Sequence, residues 1–199
     1  MVKRSAKASK KSQPGRLRIV AGNWRSRLLD IADVPGLRPT SERVRETLFN
    51  WLTPRIGRAR CLDLFAGTGA LGLEALSRGA SGVVFVESSA RAAAALRNNV
   101  ETLGATDALI AEADAFDYLR RTTDGPFDIV FLDPPFAADS LDELCRLLAQ
   151  GSLLAKGARV YIEENRGSPS VTLPEDWRVL KTKTAVNVRY SLLEAAADD

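Results

Sequence analysis

Asp133-Pro134-Pro135-Phe136 is the stretch of this chain best equipped to do chemistry. It follows Ile129-Val130-Phe131-Leu132, an apolar run with strand character. Two prolines cannot extend a hydrogen-bonded ladder, so the chain must leave a sheet here as a rigid turn. The turn offers the Asp133 carboxylate and the Pro134 carbonyl as fixed acceptors, with Phe136 as a flat apolar face. Three more acids close apolar runs upstream: Asp63, Glu87 and Asp114. Ligands of doubly wound sheets bind outside the carboxyl ends of the strands, so this spacing gathers four acids around one crevice. The chain has no histidine, which removes the Ser-His-Asp triad, the Cys-His dyad and His-based metal sites. Cys61 and Cys145 lack metal-ligand spacing and sit in apolar runs, as buried thiols of a reducing compartment do. No metal is expected. The chemistry must come from carboxylates, backbone groups, aromatics or a cofactor.

A second stretch supplies the place for a cofactor. Cys61-Leu62-Asp63-Leu64 reads as a strand, Phe65-Ala66-Gly67-Thr68-Gly69 as a turn, and Ala70-Leu71-Gly72 as the start of a helix. Glycine lets backbone turn tightly and lets a ligand approach main-chain N–H groups. Gly67 to Gly72 matches G-x-G-x-x-G, and Glu87 lies 20 positions after Gly67, as in a dinucleotide site. S-adenosylmethionine sites use the same geometry. Asp63 favours the latter, because a carboxylate there repels a pyrophosphate and suits a cationic ammonium. Glu87 is placed to accept from a ribose diol. Asp114 could take an adenine amino group, with the Ala115 N–H nearby.

The elements that must position these residues follow in order. Residues 1–16 are basic and nearly devoid of apolar side chains, and read as a disordered arm. Leu17–Val20 and Arg27–Leu29 read as a short hairpin, with Arg16, Arg18, Arg25 and Arg27 around Trp24. A helix follows Pro39, capped by Thr40 or Ser41, with Val44, Leu48, Trp51 and Leu52 inward and an end at Pro54 and Gly57. Arg43 and Arg45 lie off that stripe, free to meet phosphate. From Arg58 onward, strands alternate with helices, which implies a parallel sheet with right-handed crossovers. The fifth strand is expected over Arg159–Glu163. Trp177–Leu180 and Val188–Leu193 leave no room for a helix between them and should pair antiparallel. Residues 1–29 carry nine Lys/Arg and no acid, while acids outnumber bases over the rest. That split points to a polyanionic partner met by the N-terminal part, nucleic acid first. No apolar run is long enough for a membrane span, so a cytoplasmic protein without membrane contact is expected.

The Pro-Pro turn is similar to the (Asp/Asn/Ser)-Pro-Pro-(Tyr/Phe) motif of methyltransferases that modify an exocyclic amino group of a base. Arg38-Pro39-Thr40-x-x-Arg43-Val44-Arg45-Glu46-Thr47-Leu48-Phe49-Asn50-Trp51-Leu52, then Leu62 to Ala80, then Asp133 to Phe136, together resemble the RsmD family of bacterial 16S rRNA guanine-N2 methyltransferases. The resemblance spans roughly residues 17–193. It implies an α/β, Rossmann-like class I methyltransferase: a mostly parallel doubly wound sheet, an antiparallel C-terminal strand pair and a small N-terminal hairpin-plus-helix extension. The domains would be the arm at 1–16, an RNA-facing extension at 17–57 and the methyltransferase domain at 58–199. It implies S-adenosylmethionine held by Asp63, Phe65, Gly67, Gly69, Glu87, Asp114 and Ala115. Asp133, Pro134, Pro135 and Phe136 would hold the target guanine. Arg18, Arg25, Arg38, Thr40, Arg43 and Arg45 would face RNA. The partner would be 16S rRNA in a partly or fully assembled small subunit, met by a monomer. Rival readings are an adenine amino DNA methyltransferase, an NAD(P)-linked oxidoreductase and a non-catalytic RNA-binding assembly factor. Three departures stand out: Ser26 and the neighbourhood of Ala185-Val186-Asn187, where the family tends to have glycine, and residues 1–16, an extra arm.

Overall fold

The computed structural model describes residues 15–32, 34, 40–135 and 140–195. Arg38, Phe136 and the arm up to residue 14 lie outside the described residues. Strands β1 (Arg16–Arg18) and β2 (Leu28–Asp30) form the N-terminal hairpin, with Arg16 opposite Asp30. Arg16 thus belongs to the hairpin and not to the arm. Leu17 and Leu29 alternate inward and are buried, while their neighbours face water. Helix α1 (Glu42–Ile56) starts at Ser41, whose hydroxyl accepts the Val44 N–H at 3.3 Å. It runs through Pro54, because burial of Ile56 secures the last turn. Its buried face is Val44, Leu48, Phe49 and Leu52, and Trp51 stacks on Tyr190 at 5.5 Å.

The repeating unit then builds β3 (Arg60–Asp63), α2 (Ala70–Ser77), β4 (Gly82–Glu87), α3 (Ala90–Leu103) and β5 (Ala108–Glu112). It continues through α4 (Ala115–Arg121), β6 (Phe127–Leu132), α5 (Leu141–Gln150) and β7 (Leu154–Asn165), and ends in β8 (Arg178–Ala185) and β9 (Val188–Glu194). The seven-stranded sheet has the order β5-β4-β3-β6-β7-β9-β8. β3 to β7 are parallel, and β9 runs antiparallel to both β7 and β8. The order reverses between β3 and β6, which opens a crevice at their carboxyl ends. β7 is longer than the five residues expected, because it pairs with β6 on one side and with β9 on the other.

Both faces of the sheet are covered. Leu48, Phe49 and Leu52 of α1 share one core cluster with Phe85, Phe131 and Tyr161 of the sheet, so the N-terminal extension packs as part of the same body. Leu144 and Leu148 of α5 cover the other face, against Leu62, Val130 and Leu193. The hairpin loop docks on the end of α2. A Cβ at Gly22 would lie 1.8 Å from the Ser77 carbonyl oxygen, so only glycine fits that approach. Ser26 at φ 67° and Val186, within the Ala185-Val186-Asn187 stretch, at φ 52° both have left-handed backbone. Glycine is favoured at such positions for lack of a Cβ.

Candidate active site

The crevice collects the acids from adjacent strands. Asp63 ends β3, Glu87 ends β4, Asp114 follows β5 and Asp133 follows β6. These four strands are contiguous in the sheet, so the four acids share one edge. The turn after β3 is shaped by its glycines. Gly69 adopts φ 92°, and a Cβ there would come within 2.6 Å of Leu96 and 2.7 Å of Leu73. Asp63 is buried, and its carboxylate accepts the Gly72 N–H at 3.0 Å. Burial pushes its pKa up to about 7, the nearby Glu87 charge adds to the rise, and the Gly72 N–H opposes it. Glu87 braces the turn, accepting the Gly67 N–H at 2.8 Å and the Ser89 N–H at 2.7 Å. Asp114 caps α4: one of its oxygens accepts the N–H groups of Phe116 and Asp117. Ala115 is the first residue of that helix and is buried, and Phe65 is half-buried in the turn.

Asp133 is anchored by Thr40. The Thr40 hydroxyl donates to its carboxylate at 3.0 Å. Burial, then the charge of Glu163, then that of Asp63 hold the Asp133 carboxyl well above the usual carboxylate range, against the Thr40 hydrogen bond. Glu163 lies on β7, next to β6, and is buried. It accepts the Tyr161 phenol at 2.6 Å, and burial raises its pKa too. Sequence reasoning gave Glu163 no role, although it ends the fifth strand as expected from sequence; in the structure β7 runs two residues further.

Thr40 and Arg45 require correction. Both were expected to face RNA, and both point inward. Thr40 is taken up by Asp133. Arg45 is fully buried, donating to the Thr40 carbonyl at 3.3 Å, to the Arg18 carbonyl at 2.8 Å and to Glu74 at 3.3 Å. Glu74, on α2, also accepts the N–H groups of Val20 and Ala21 at 2.8 and 3.0 Å and pairs with Arg78 at 2.7 Å. This cluster was invisible in the sequence, since its partners lie 4 to 54 positions apart. Arg18, Arg25 and Arg43 are exposed, with Arg18 3.6 Å from Glu42.

Parallel strands ending in an antiparallel pair, a glycine-rich turn after β3 and an Asp-Pro-Pro turn after β6 define a Rossmann-like class I methyltransferase fold. The solved structure of the methyltransferase yhhF from Escherichia coli superposes with a TM-score of 0.86 at 41% identity, covering 92% of this chain and 100% of that one. Ribosomal RNA small subunit methyltransferase D of Escherichia coli strain K12 is 44% identical over 186 residues, covering 94% of this chain and 93% of that protein. The Haemophilus influenzae protein of the same name is 43% identical over 183 residues, covering 90% and 94%. The family model described as conserved hypothetical protein 95 matches residues 17–194. The chain belongs to that family, the RsmD family of methyltransferases. Among the described residues, no helix is long and apolar enough to cross a membrane.

Proposed function

We propose that this protein transfers a methyl group from S-adenosylmethionine to the N2 amine of a guanine in 16S rRNA of the small ribosomal subunit. The observation that carries the reading is Asp133, fixed by Thr40 and the Pro-Pro turn at the reversal point of the sheet. The fit to the cofactor rests on Asp63, a buried carboxyl with no cation paired to it among the described residues, beside a turn where a Cβ at Gly69 would clash. A cationic ammonium suits that carboxyl. Asp63, Phe65, Gly67, Gly69, Glu87, Asp114 and Ala115 would hold the cofactor, with Glu87 at its ribose and Asp114 at its adenine. When bound, S-adenosylmethionine supplies an electrophilic methyl group and departs as a thioether.

The protein's own task is to make a poor nucleophile react. An exocyclic amine delocalises its lone pair into the ring. Acceptance of its two N–H bonds by Asp133 and the Pro134 carbonyl favours a pyramidal nitrogen and stabilises the positive charge that develops there. The prolines keep both acceptors in place, so attack pays little reorganisation. Phe136, outside the described residues, is assigned to stacking on the base. Asp133 or solvent takes the proton released after attack. Arg18, Arg25, Arg38 and Arg43 meet RNA phosphate, with the chain acting as a cytoplasmic monomer on a partly or fully assembled subunit. The test is transfer of labelled methyl to small subunits from cells lacking the modification, followed by nucleoside analysis. N2-methylguanosine is expected from wild type and not from Asp133→Ala. Labelled product of any other identity would overturn the assignment of the amine.

A further inference from the structure

The turn that follows β6 borders a cavity of about 250 Å³, lined by Pro134, Pro135, Ser140, Leu141, Glu163 and Val171 among others. Glu163 enters it from β7, where its neighbour Ile162 pairs with Leu132 at the end of β6. Its carboxyl is oriented by the Tyr161 phenol at 2.6 Å and lies within reach of the Thr40 hydroxyl that also holds Asp133. Among the described residues, no Arg or Lys pairs with either acid. A buried carboxyl beside a half-buried one, without a cation, is costly unless something donates to the pair.

A guanine turned with its amine toward Asp133 meets that need. Its edge presents three adjacent N–H bonds, two on N2 and one on N1. Asp133 and the Pro134 carbonyl account for the first two. The third requires an acceptor immediately beside them, and Glu163 is the group the fold puts there. An adenine amine offers only two N–H bonds, and the ring nitrogen beside it carries a lone pair, which would face a carboxylate. We propose that Glu163 is the specificity-determining residue of this site, accepting the guanine N1–H and excluding bases that lack it. This rests on the guanine-N2 reading above.

The discriminating probe is 2-aminopurine, which keeps the 2-amino group but has a lone pair at N1. Small subunits carrying guanine or 2-aminopurine at the target position would be methylated by the full-length protein under single-turnover conditions. Wild type should favour guanine by about 100-fold or more, since a site built to hydrogen-bond an N–H discriminates strongly against its absence. In Glu163→Gln the amide can donate to the N1 lone pair, so the preference should fall at least tenfold. Glu163→Asp, which retains an acceptor, should keep most of it. An unchanged preference in Glu163→Gln would overturn the proposal. A wild type that methylates no guanine N2 would instead overturn the functional reading itself.

Should Glu163→Gln not fold, the wild type decides the matter by pH. The groups facing Glu163 are Asp133, Tyr161 and the Thr40 hydroxyl, with Tyr190 as its partner on β9. Burial raises its pKa, so it takes up a proton at a higher pH than an ordinary glutamate and then offers a donor to N1. The guanine preference should therefore shrink on going from pH 8 to pH 5. A preference constant over that range would overturn the proposal.

Discussion

Glu74 is a buried acid and Asp133 a half-buried one, and their surroundings are opposite. Glu74 receives two guanidinium groups and two backbone N–H groups, so its charge is fully answered. Its position explains its role: it fastens the hairpin and α1 to the helix behind the cofactor turn. Asp133 receives one hydroxyl, stands against two other acids, and has no cation partner among the described residues. The lesson is that burial alone does not mark a functional carboxyl. A buried acid whose partners are all present holds the fold; one whose partners are missing awaits a ligand.

Breaking the answered cluster should have the largest effect. Glu74→Ala strands Arg45 in the core, and loss of one partner of a buried pair costs about 3–5 kcal/mol, which denaturant unfolding would read. Removal of the unanswered acid should spare the fold and cost the reaction. Asp133→Ala is expected to lower the methyl-transfer rate by about 10²–10³-fold, the usual loss for one preorganised group, with its unfolding midpoint unchanged or raised. Methyl transfer by this variant at near the wild-type rate would end the comparison.

Asp63 sharpens the contrast through pH. Its folded pKa of about 7 lies above its unfolded value. Ionisation therefore costs the folded state more than the unfolded one, and stability falls as pH rises from about 4 to about 7 and levels off above that. Asp63→Asn should gain about 2 kcal/mol at pH 8, and the gain should fade as pH drops towards 4. The same change should weaken S-adenosylmethionine binding, which in wild type should itself decline below pH 7 as Asp63 takes up a proton; calorimetry at pH 6 and pH 8 would test both. The smallest effect is expected far from either cluster. Val186 is 86% exposed at φ 52°, so Val186→Gly should stabilise the β8–β9 hairpin by about 1 kcal/mol, seen as a rise in melting temperature with activity unchanged.

Much of the site was legible because its signals are local. A strand, a glycine-rich turn and a helix within about a dozen residues specify their own geometry, and Asp133-Pro134-Pro135 can only be a rigid exit from a strand. The alternation of strands and helices gave the parallel sheet, and the missing helix near residue 185 gave the antiparallel pair. The inward turn of Arg45 was not legible. Helical periodicity places it off the apolar stripe, but periodicity says nothing of a glutamate 29 residues away that makes burial of a guanidinium tolerable. Asp114 shows the same limit at close range, since one of its oxygens serves the helix that follows it.

The chain's sequence by itself determined the strand–turn–helix units, the acids at four strand ends and the Asp-Pro-Pro turn, because each depends on neighbours within a few residues. Tertiary structure alone decided that Thr40, 93 positions before Asp133, would anchor it, and that Glu163 would stand beside it across a strand boundary. Strand order and burial set those partnerships, and both arise from packing between segments whose separation along the chain carries no record of their proximity in space.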